Sequence, residues 1–225
     1  LLGRSGPKLG RVAGAATGPL WFQLYFFPDR ALTETLVRRA QRAGYTGLML
    51  TVDNLGANSR EREHRYAYIL ESERTLKNFV GIELPNLPTR ENFAESFDHS
   101  LNWADLEWLR STTTMPLVIK GIQTAEDARL CVQYGADALV VSNHGGHALP
   151  GSKGTIELLP EVVDAVGDKL EVYMDGGIRR GADVLKALAL GAKAVFIGRP
   201  IFWGLSVGGE TGVHHVLDIL RDELS

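Results

Sequence analysis

VYMDGGIRRGADVLKALALGAKAVFIGRP, residues 172–200, reads as a strand, a glycine-arginine turn, a helix, a closing glycine and a second strand. The run Leu170–Met174 is short, apolar and bounded by polar and glycine residues, as a strand buried on both faces requires. Asp175, Gly176 and Gly177 leave its tip, Arg179 and Arg180 follow, and Gly181 opens a helix predicted over Gly181–Leu190. The next strand, Ala194–Ile197, runs into Gly198 and Arg199. Backbone N–H groups of the turn, a helix N-terminus and guanidinium charge can converge there on one phosphate. Phosphate binding by the loops after the seventh and eighth strands recurs in (β/α)8 barrels, which sets these runs at the end of such a barrel.

Working outward, four more apolar runs predict strands: Trp21–Phe26, Gly47–Val52, Leu117–Ile119 and Ala138–Val141. Helices are predicted over Arg30–Ala43, Trp103–Ser111, Thr124–Tyr134 and Leu158–Val166, with a last one over His214–Leu224. Helix, glycine and strand follow in that order three times, at RAGY, YGAD and LGAK, the pattern of repeated βα units. The fold class is therefore α/β, a (β/α)8 barrel of which strands 3 to 8 are present. Residues 1–14 stay unassigned and residues 15–225 form one barrel domain. Residues 66–102 read as an extended loop, a feature that in compact domains usually serves function.

The formal net charge of −3 over 225 residues, with both signs interspersed, gives no reason to expect nucleic acid as a partner. A single cysteine, Cys131, excludes an intrachain disulfide and asks for no oxidising compartment. No run approaches the roughly 20 apolar residues that span a bilayer, and no signal peptide is legible. The expectation is a cytoplasmic protein, at most peripheral to a membrane. His144, His147, His214 and His215 have no cysteine or spaced third ligand beside them, so no metal site is expected.

In a parallel barrel all strand tips share one mouth. Those tips carry Gln23, Tyr25, Thr51, Asp53, Lys120, Asn143, His144, Asp175, Gly177, Gly198 and Arg199. Ionisable groups gathered at one rim cost free energy unless paired or ligand-bound, so the set points to a site. His144 follows a buried strand and precedes two glycines that let a ligand approach the backbone, which suits a general base.

Taken together, GPLWFQLYFFPDR, LMLTVDNLG with SREREHR, WADLEWLR, PLVIKGI, GADALVVSNHGG and the 172–200 stretch resemble the FMN-dependent 2-hydroxy acid oxidases and dehydrogenases. These include glycolate oxidase, flavin-type lactate dehydrogenase and mandelate dehydrogenase. The resemblance implies FMN as cofactor, an L-2-hydroxy acid as substrate and a homotetramer. It makes His144 the base that takes a proton from the substrate, with Asp53 stabilising the resulting imidazolium. It makes Arg60 the guanidinium that pairs with the substrate carboxylate and Tyr25 a substrate hydrogen-bonding group. Gln23, Thr51 and Lys120 would meet the flavin ring, Lys120 by its N1 and O2 edge. Asp175, Gly177, Arg179, Gly198 and Arg199 would form the rest of the cofactor site.

Two departures stand out. Where the family reads histidine, glycine, glycine, arginine, this chain has His147, whose imidazole is a poorer carboxylate clamp than guanidinium. Members of the family also carry the first two strands ahead of GPLWFQLY, and six strands leave open edges where eight would close. That implies a fragment or a second polypeptide, with LGRVAGAATG resembling the end of the second barrel helix. Two alternatives stay open: another FMN barrel, an isomerase or an inosinate-dehydrogenase-like protein, and a truncated member without turnover. The electron acceptor, whether oxygen, quinone or cytochrome, is not encoded in any of these motifs.

Overall fold

A computed structural model describes residues 8–54, 76–89, 92–93 and 96–225 of the chain. In chain order the elements are α1 (Leu9–Ala15), β1 (Trp21–Leu24), α2 (Arg30–Arg42), β2 (Gly47–Thr51), α3 (Trp103–Thr112), β3 (Leu117–Ile122) and α4 (Ala125–Gln133). There follow β4 (Ala138–Val141), a 3₁₀ turn at His144–Gly146, α5 (Thr155–Val166), β5 (Glu171–Asp175), α6 (Gly181–Ala189), β6 (Ala194–Phe196) and α7 (Arg199–Asp222). The strands form one six-stranded sheet in the order β1-β2-β3-β4-β5-β6. The pairs β1–β2, β4–β5 and β5–β6 are parallel, with Gln23 opposite Met49 and Asp175 opposite Phe196. Alternation of strand and helix in an in-order parallel sheet is the arrangement of an incomplete (β/α)8 barrel.

By contacts the chain divides into two compact units, Leu1–Val118 and Ile119–Ser225, parting inside β3. In the first, every residue of β2 is buried, and Phe22, Leu24, Leu36, Leu48 and Leu109 are fully enclosed. Four phenylalanines, Phe27, Phe79, Phe93 and Phe97, pack ring on ring with centroids 5.1–6.5 Å apart and fasten the described part of the 76–97 stretch. In the second unit, Leu139, Val140 and Val141 of β4 and Leu159, Val162 and Val166 of α5 are fully buried. Its apolar surface is not all covered. Leu185 and Leu188 of α6, and Phe202, Trp203, Leu205 and Val207 of α7, are exposed, as is Ala194 of β6. Exposed apolar side chains in this number accord with the open sheet expected from six strands.

Several boundaries differ from the sequence reading, each for a local reason. β1 stops at Leu24 rather than Phe26, because the Phe27 amide donates to Thr33 Oγ1 (3.1 Å) and the Phe26 carbonyl accepts from Asp98 (2.9 Å), which takes the chain out of the ladder. β3 continues to Ile122, so Lys120 lies within the strand and not beyond its tip. α5 begins at Thr155, ahead of its apolar stripe, since the Glu157 carboxylate turns back to accept from the Gly154 amide (3.2 Å) and closes the first turn. Residues 1–14, left unassigned, contain most of α1, whose Leu9 amide donates to the buried Asn78 Oδ1 (3.1 Å). The last helix starts at Arg199 with Pro200 in its first turn, where a missing N–H costs nothing. It breaks only at Gly208–Gly209, where Gly209 has φ +58°. Arg60 and, of the predicted 66–102 loop, residues 66–75, 90–91 and 94–95 lie outside the described residues.

An ion cluster ties α2 to α3. Arg30 Nη2 meets Asp98 Oδ2 at 3.0 Å and Asp105 Oδ1 at 2.5 Å, and its guanidinium lies 4.5 Å above the Phe26 ring. Burial by itself would raise the Asp98 carboxyl, but the Ser100 hydroxyl and amide and the Arg30 guanidinium outweigh it and hold the group below its ordinary value of 3.8. A carboxyl depressed on folding stabilises fully above its unfolded pKa, and that contribution is lost as pH falls through the folded one. Urea unfolding from about pH 6 down to about pH 2 should therefore show a loss below about pH 4 that shrinks with Asp98→Asn. An unchanged pH slope in the variant would show that the cluster does not stabilise the fold.

Candidate active site

In the first unit, β1 and β2 bring together two of the predicted cofactor residues. Gln23 Nε2 donates to Thr51 Oγ1 at 2.9 Å, and Thr51, the last residue of β2, is buried. Both side chains leave the sheet on one face because parallel neighbours in register point the same way. Tyr25 follows β1, half-buried, with its ring 4.4 Å from that of Phe97 at an interplanar angle of 32°. Asp53, two residues beyond β2, is a buried carboxylate, 6% exposed.

The second unit holds a hydrogen-bonded cluster formed by Lys120 within β3 and by residues at the tips of β4 and β5. Lys120 Nζ donates to Ser142 Oγ (2.9 Å) and pairs with Asp175 Oδ2 (3.3 Å). The same Ser142 oxygen accepts from the backbone amide of His144 (3.2 Å), so one fully buried hydroxyl joins the ammonium to the turn that carries the imidazole. Asp175 Oδ1 is buried and accepts no hydrogen bond among the described residues. The imidazole of His144 meets that of His147 edge to face, with centroids 4.9 Å apart.

His144 itself has φ +56°, the left-handed region that costs a β-carbon-bearing residue free energy. Gly145 and Gly146 continue it at +71° and +80°, which is why glycines follow the histidine. The Gly146 amide closes the turn on the Asn143 carbonyl (2.9 Å). Arg199 Nη2 donates to the Gly145 carbonyl (3.0 Å). Asn143 is buried and its Nδ2 donates to the Lys153 carbonyl (2.9 Å).

Beside this turn lies a cavity of about 350 Å³ lined by Gly145 and Gly146 together with Gly176, Gly177, Thr155 and Arg199. Gly176 and Gly177 have φ +84° and +79°. A β-carbon on Gly176 would come within 3.2 Å of Thr155 Oγ1 and 3.4 Å of Asn143 Oδ1. Thr155 braces that turn by donating to the Asp175 carbonyl (2.7 Å). The helix terminus is arranged otherwise than expected. The amides of Arg179 and Arg180 both donate to Asp183 Oδ2 (3.0 Å each), and that of Gly181 to Glu223 Oε2 (2.7 Å). The amides of Arg179, Arg180 and Gly181, leading into α6, are thus satisfied within the chain, and with Arg180 paired to Glu223 Oε1 (2.9 Å) the groups that could face an anion are the double-glycine turn, Gly198 and the guanidinium groups of Arg179 and Arg199. Arg179 reaches over the Trp203 ring at 4.6 Å.

Two residues that the sequence reading did not assign to the site emerge from the geometry, Ser142 and Thr155, and Asn143, read only as a strand-tip residue, proves to be a brace. Ser142 and Thr155 are small hydroxyls of the kind that occur throughout a sequence, and only their position between Lys120, His144 and the glycine turn marks them. Among the described residues there is no cluster of three or more potential metal ligands, and no helix long and apolar enough to cross a membrane.

A family model described as FMN-dependent dehydrogenase matches residues 4–225. L-lactate oxidase of Nostoc is 50% identical over 212 residues, 91% of this chain and 58% of that protein. Human 2-hydroxyacid oxidase 1 is 46% identical over 213 residues, 90% of this chain and 57% of that protein. A crystal structure of mandelate oxidase aligns with a TM-score of 0.87 at 41% identity, covering 96% of this chain and 61% of that one. The chain thus spans about three fifths of the length of the relatives it matches.

Proposed function

The chain belongs to the FMN-dependent dehydrogenase family, and from that premise we propose that it carries the cofactor cradle and the proton-accepting histidine of an enzyme that oxidises an L-2-hydroxy acid to the 2-oxo acid. The observation that carries this reading is Ser142, whose hydroxyl binds both Lys120 Nζ and the His144 amide next to a glycine-lined cavity.

The residues present fit FMN. Gly176 admits no side chain without crowding Thr155 and Asn143, so bare backbone faces the cavity where a phosphate could approach. Arg179 and Arg199 supply positive charge, and Gly198 a second unobstructed backbone position. The Lys120 ammonium suits the electron-rich edge of the flavin ring, and Gln23 and Thr51, hydrogen-bonded to each other, offer the amide and hydroxyl chemistry that a flavin ring would take. FMN, when bound, supplies the two-electron acceptor.

Two hydrogens and two electrons leave the substrate as the C2–H and O–H bonds break and the C2=O bond forms: His144 takes one hydrogen as a proton, the other hydrogen and the electron pair would pass to the bound flavin, and by the family resemblance the buried Asp53 carboxylate would stabilise the imidazolium. By the family resemblance Arg60 would pair with the substrate carboxylate, Tyr25 would donate to the substrate, and His147 stands in the sequence where the family has its second carboxylate-binding arginine. The similar proteins are named as oxidases of lactate, 2-hydroxy acids and mandelate, which supports dioxygen as the final acceptor and a small 2-hydroxy acid as substrate. Reconstituted with FMN, the full-length protein should turn colourless under anaerobic lactate, glycolate or mandelate and form hydrogen peroxide when air is admitted. Persistence of the yellow colour with all three acids would sink the proposal.

A further inference from the structure

Arg199 is the one described guanidinium that bonds to the His144 turn, and it also lines the cavity that the double-glycine turn borders. Three successive left-handed residues, at φ +56°, +71° and +80°, do not hold themselves in place. Inside the turn, the Ser142 hydroxyl fixes the His144 amide and the Asn143 carbonyl fixes the Gly146 amide. The carbonyl of Gly145, between them, is bound by Arg199 Nη2 at 3.0 Å. A β-carbon on Gly145 would itself come within 3.0 Å of that nitrogen, so the guanidinium lies close against the turn.

From this geometry we infer that Arg199 is a positioning residue for His144, holding the left-handed turn that presents the imidazole, in addition to any contact it makes with a phosphate. The guanidinium is suited to both tasks at once. Its five N–H donors are fixed in a plane, so Nη2 can stay on the Gly145 carbonyl while other donors face an anion in the cavity. Arg199 opens α7 directly after Gly198, and this rigid start aims the side chain across to the turn. The consequence for catalysis rests on the reading of His144 as the base; the structural claim does not.

The test is amide hydrogen exchange on the full-length protein free of FMN, residue by residue. The reporter is the Gly146 amide, bonded to Asn143 O, and the references are the amides of Val140 in β4 and Met174 in β5. Arg199→Gln should speed exchange at Gly146 by roughly threefold to tenfold, the effect of losing one hydrogen bond. Val140 and Met174 should be unchanged. Arg199→Lys, which keeps one donor on a flexible stem, should recover at least part of the protection. Unchanged exchange at Gly146 in Arg199→Gln overturns the inference. So does a rise shared by Val140 and Met174, which would mark general destabilisation. A parallel titration of the unaltered protein with FMN reports on the proposed function separately, since absence of flavin binding there would leave the exchange result standing.

Discussion

His144→Asn is expected to lower the rate of anaerobic flavin reduction by about a hundredfold to ten-thousandfold in the FMN-loaded full-length protein, the usual contribution of a positioned general base. Asparagine is the appropriate replacement because His144 has φ +56°, and asparagine is among the side chains that tolerate the left-handed region best. The loss then reports on the missing base rather than on a collapsed turn. FMN affinity should stay within roughly threefold of the parent, because the ammonium, the glycine turn and the arginines are untouched. Stopped-flow reduction by the best 2-hydroxy acid, with flavin binding measured by fluorescence, decides the matter. A variant that keeps a tenth or more of the parental rate would show that His144 does not accept the proton.

Lys120→Met should cost about 2–4 kcal/mol of stability in the FMN-free protein, by the mechanism that makes half of an ion pair worse than none. The ammonium is 15% exposed and pairs at 3.3 Å with an Asp175 carboxylate that is 17% exposed. Asp175 Oδ1 already accepts nothing among the described residues, so removing the cation leaves the carboxylate with still less compensation. Ser142 Oγ also loses a donor at 2.9 Å. Asp175→Asn in the same chain should recover much of that loss, because the uncompensated charge is gone. FMN binding should respond differently, remaining weak in the double variant if Lys120 meets the flavin ring. Denaturant titration of the two single variants and the double one gives the coupling. Strictly additive losses would mean that the two groups do not act as a pair, and full recovery of FMN affinity in the double variant would remove Lys120 from the cofactor site.

Most of the elements were legible because they are set by local patterns. β4 was read at Ala138–Val141 from four apolar residues between polar flanks, and the strand has those limits with every residue buried. α6 was read from Gly181 because a glycine-arginine turn leads into an apolar periodicity, and it begins there. The errors fall where the deciding partner is distant in sequence or the pattern is interrupted. Of the two bonds that end β1, that of the Phe27 amide goes to the nearby Thr33, but the group that takes the Phe26 carbonyl belongs to the distant Asp98. The last helix was predicted only from His214, and the structure begins it at Arg199, with Gly208–Gly209 as a break between two helical segments. The expectation that the start of α6 would face a phosphate was also incomplete, since Glu223, from the end of the chain, covers the Gly181 amide.

The candidate site divides in the same way. Residue types carried His144, Lys120, Asp175 and the arginines, since an imidazole after a buried strand and a basic glycine turn are rare enough to be noticed. Ser142 and Thr155 carried no such mark, and Arg60 lies among residues whose structure is not described.

What the sequence by itself determined is the alternation of strand and helix, the parallel order of the sheet and the inventory of acid, base and cation at its tips. Periodicity, glycine punctuation and side-chain chemistry are local properties, readable without coordinates. Only the tertiary structure decided which groups touch: that one serine hydroxyl joins Lys120 to the His144 turn, that Arg199 bonds to Gly145, and that the first amides of α6 belong to Asp183 and Glu223. Hydrogen bonds between residues dozens of positions apart depend on distances that the folded backbone alone sets, and a linear pattern holds no record of them.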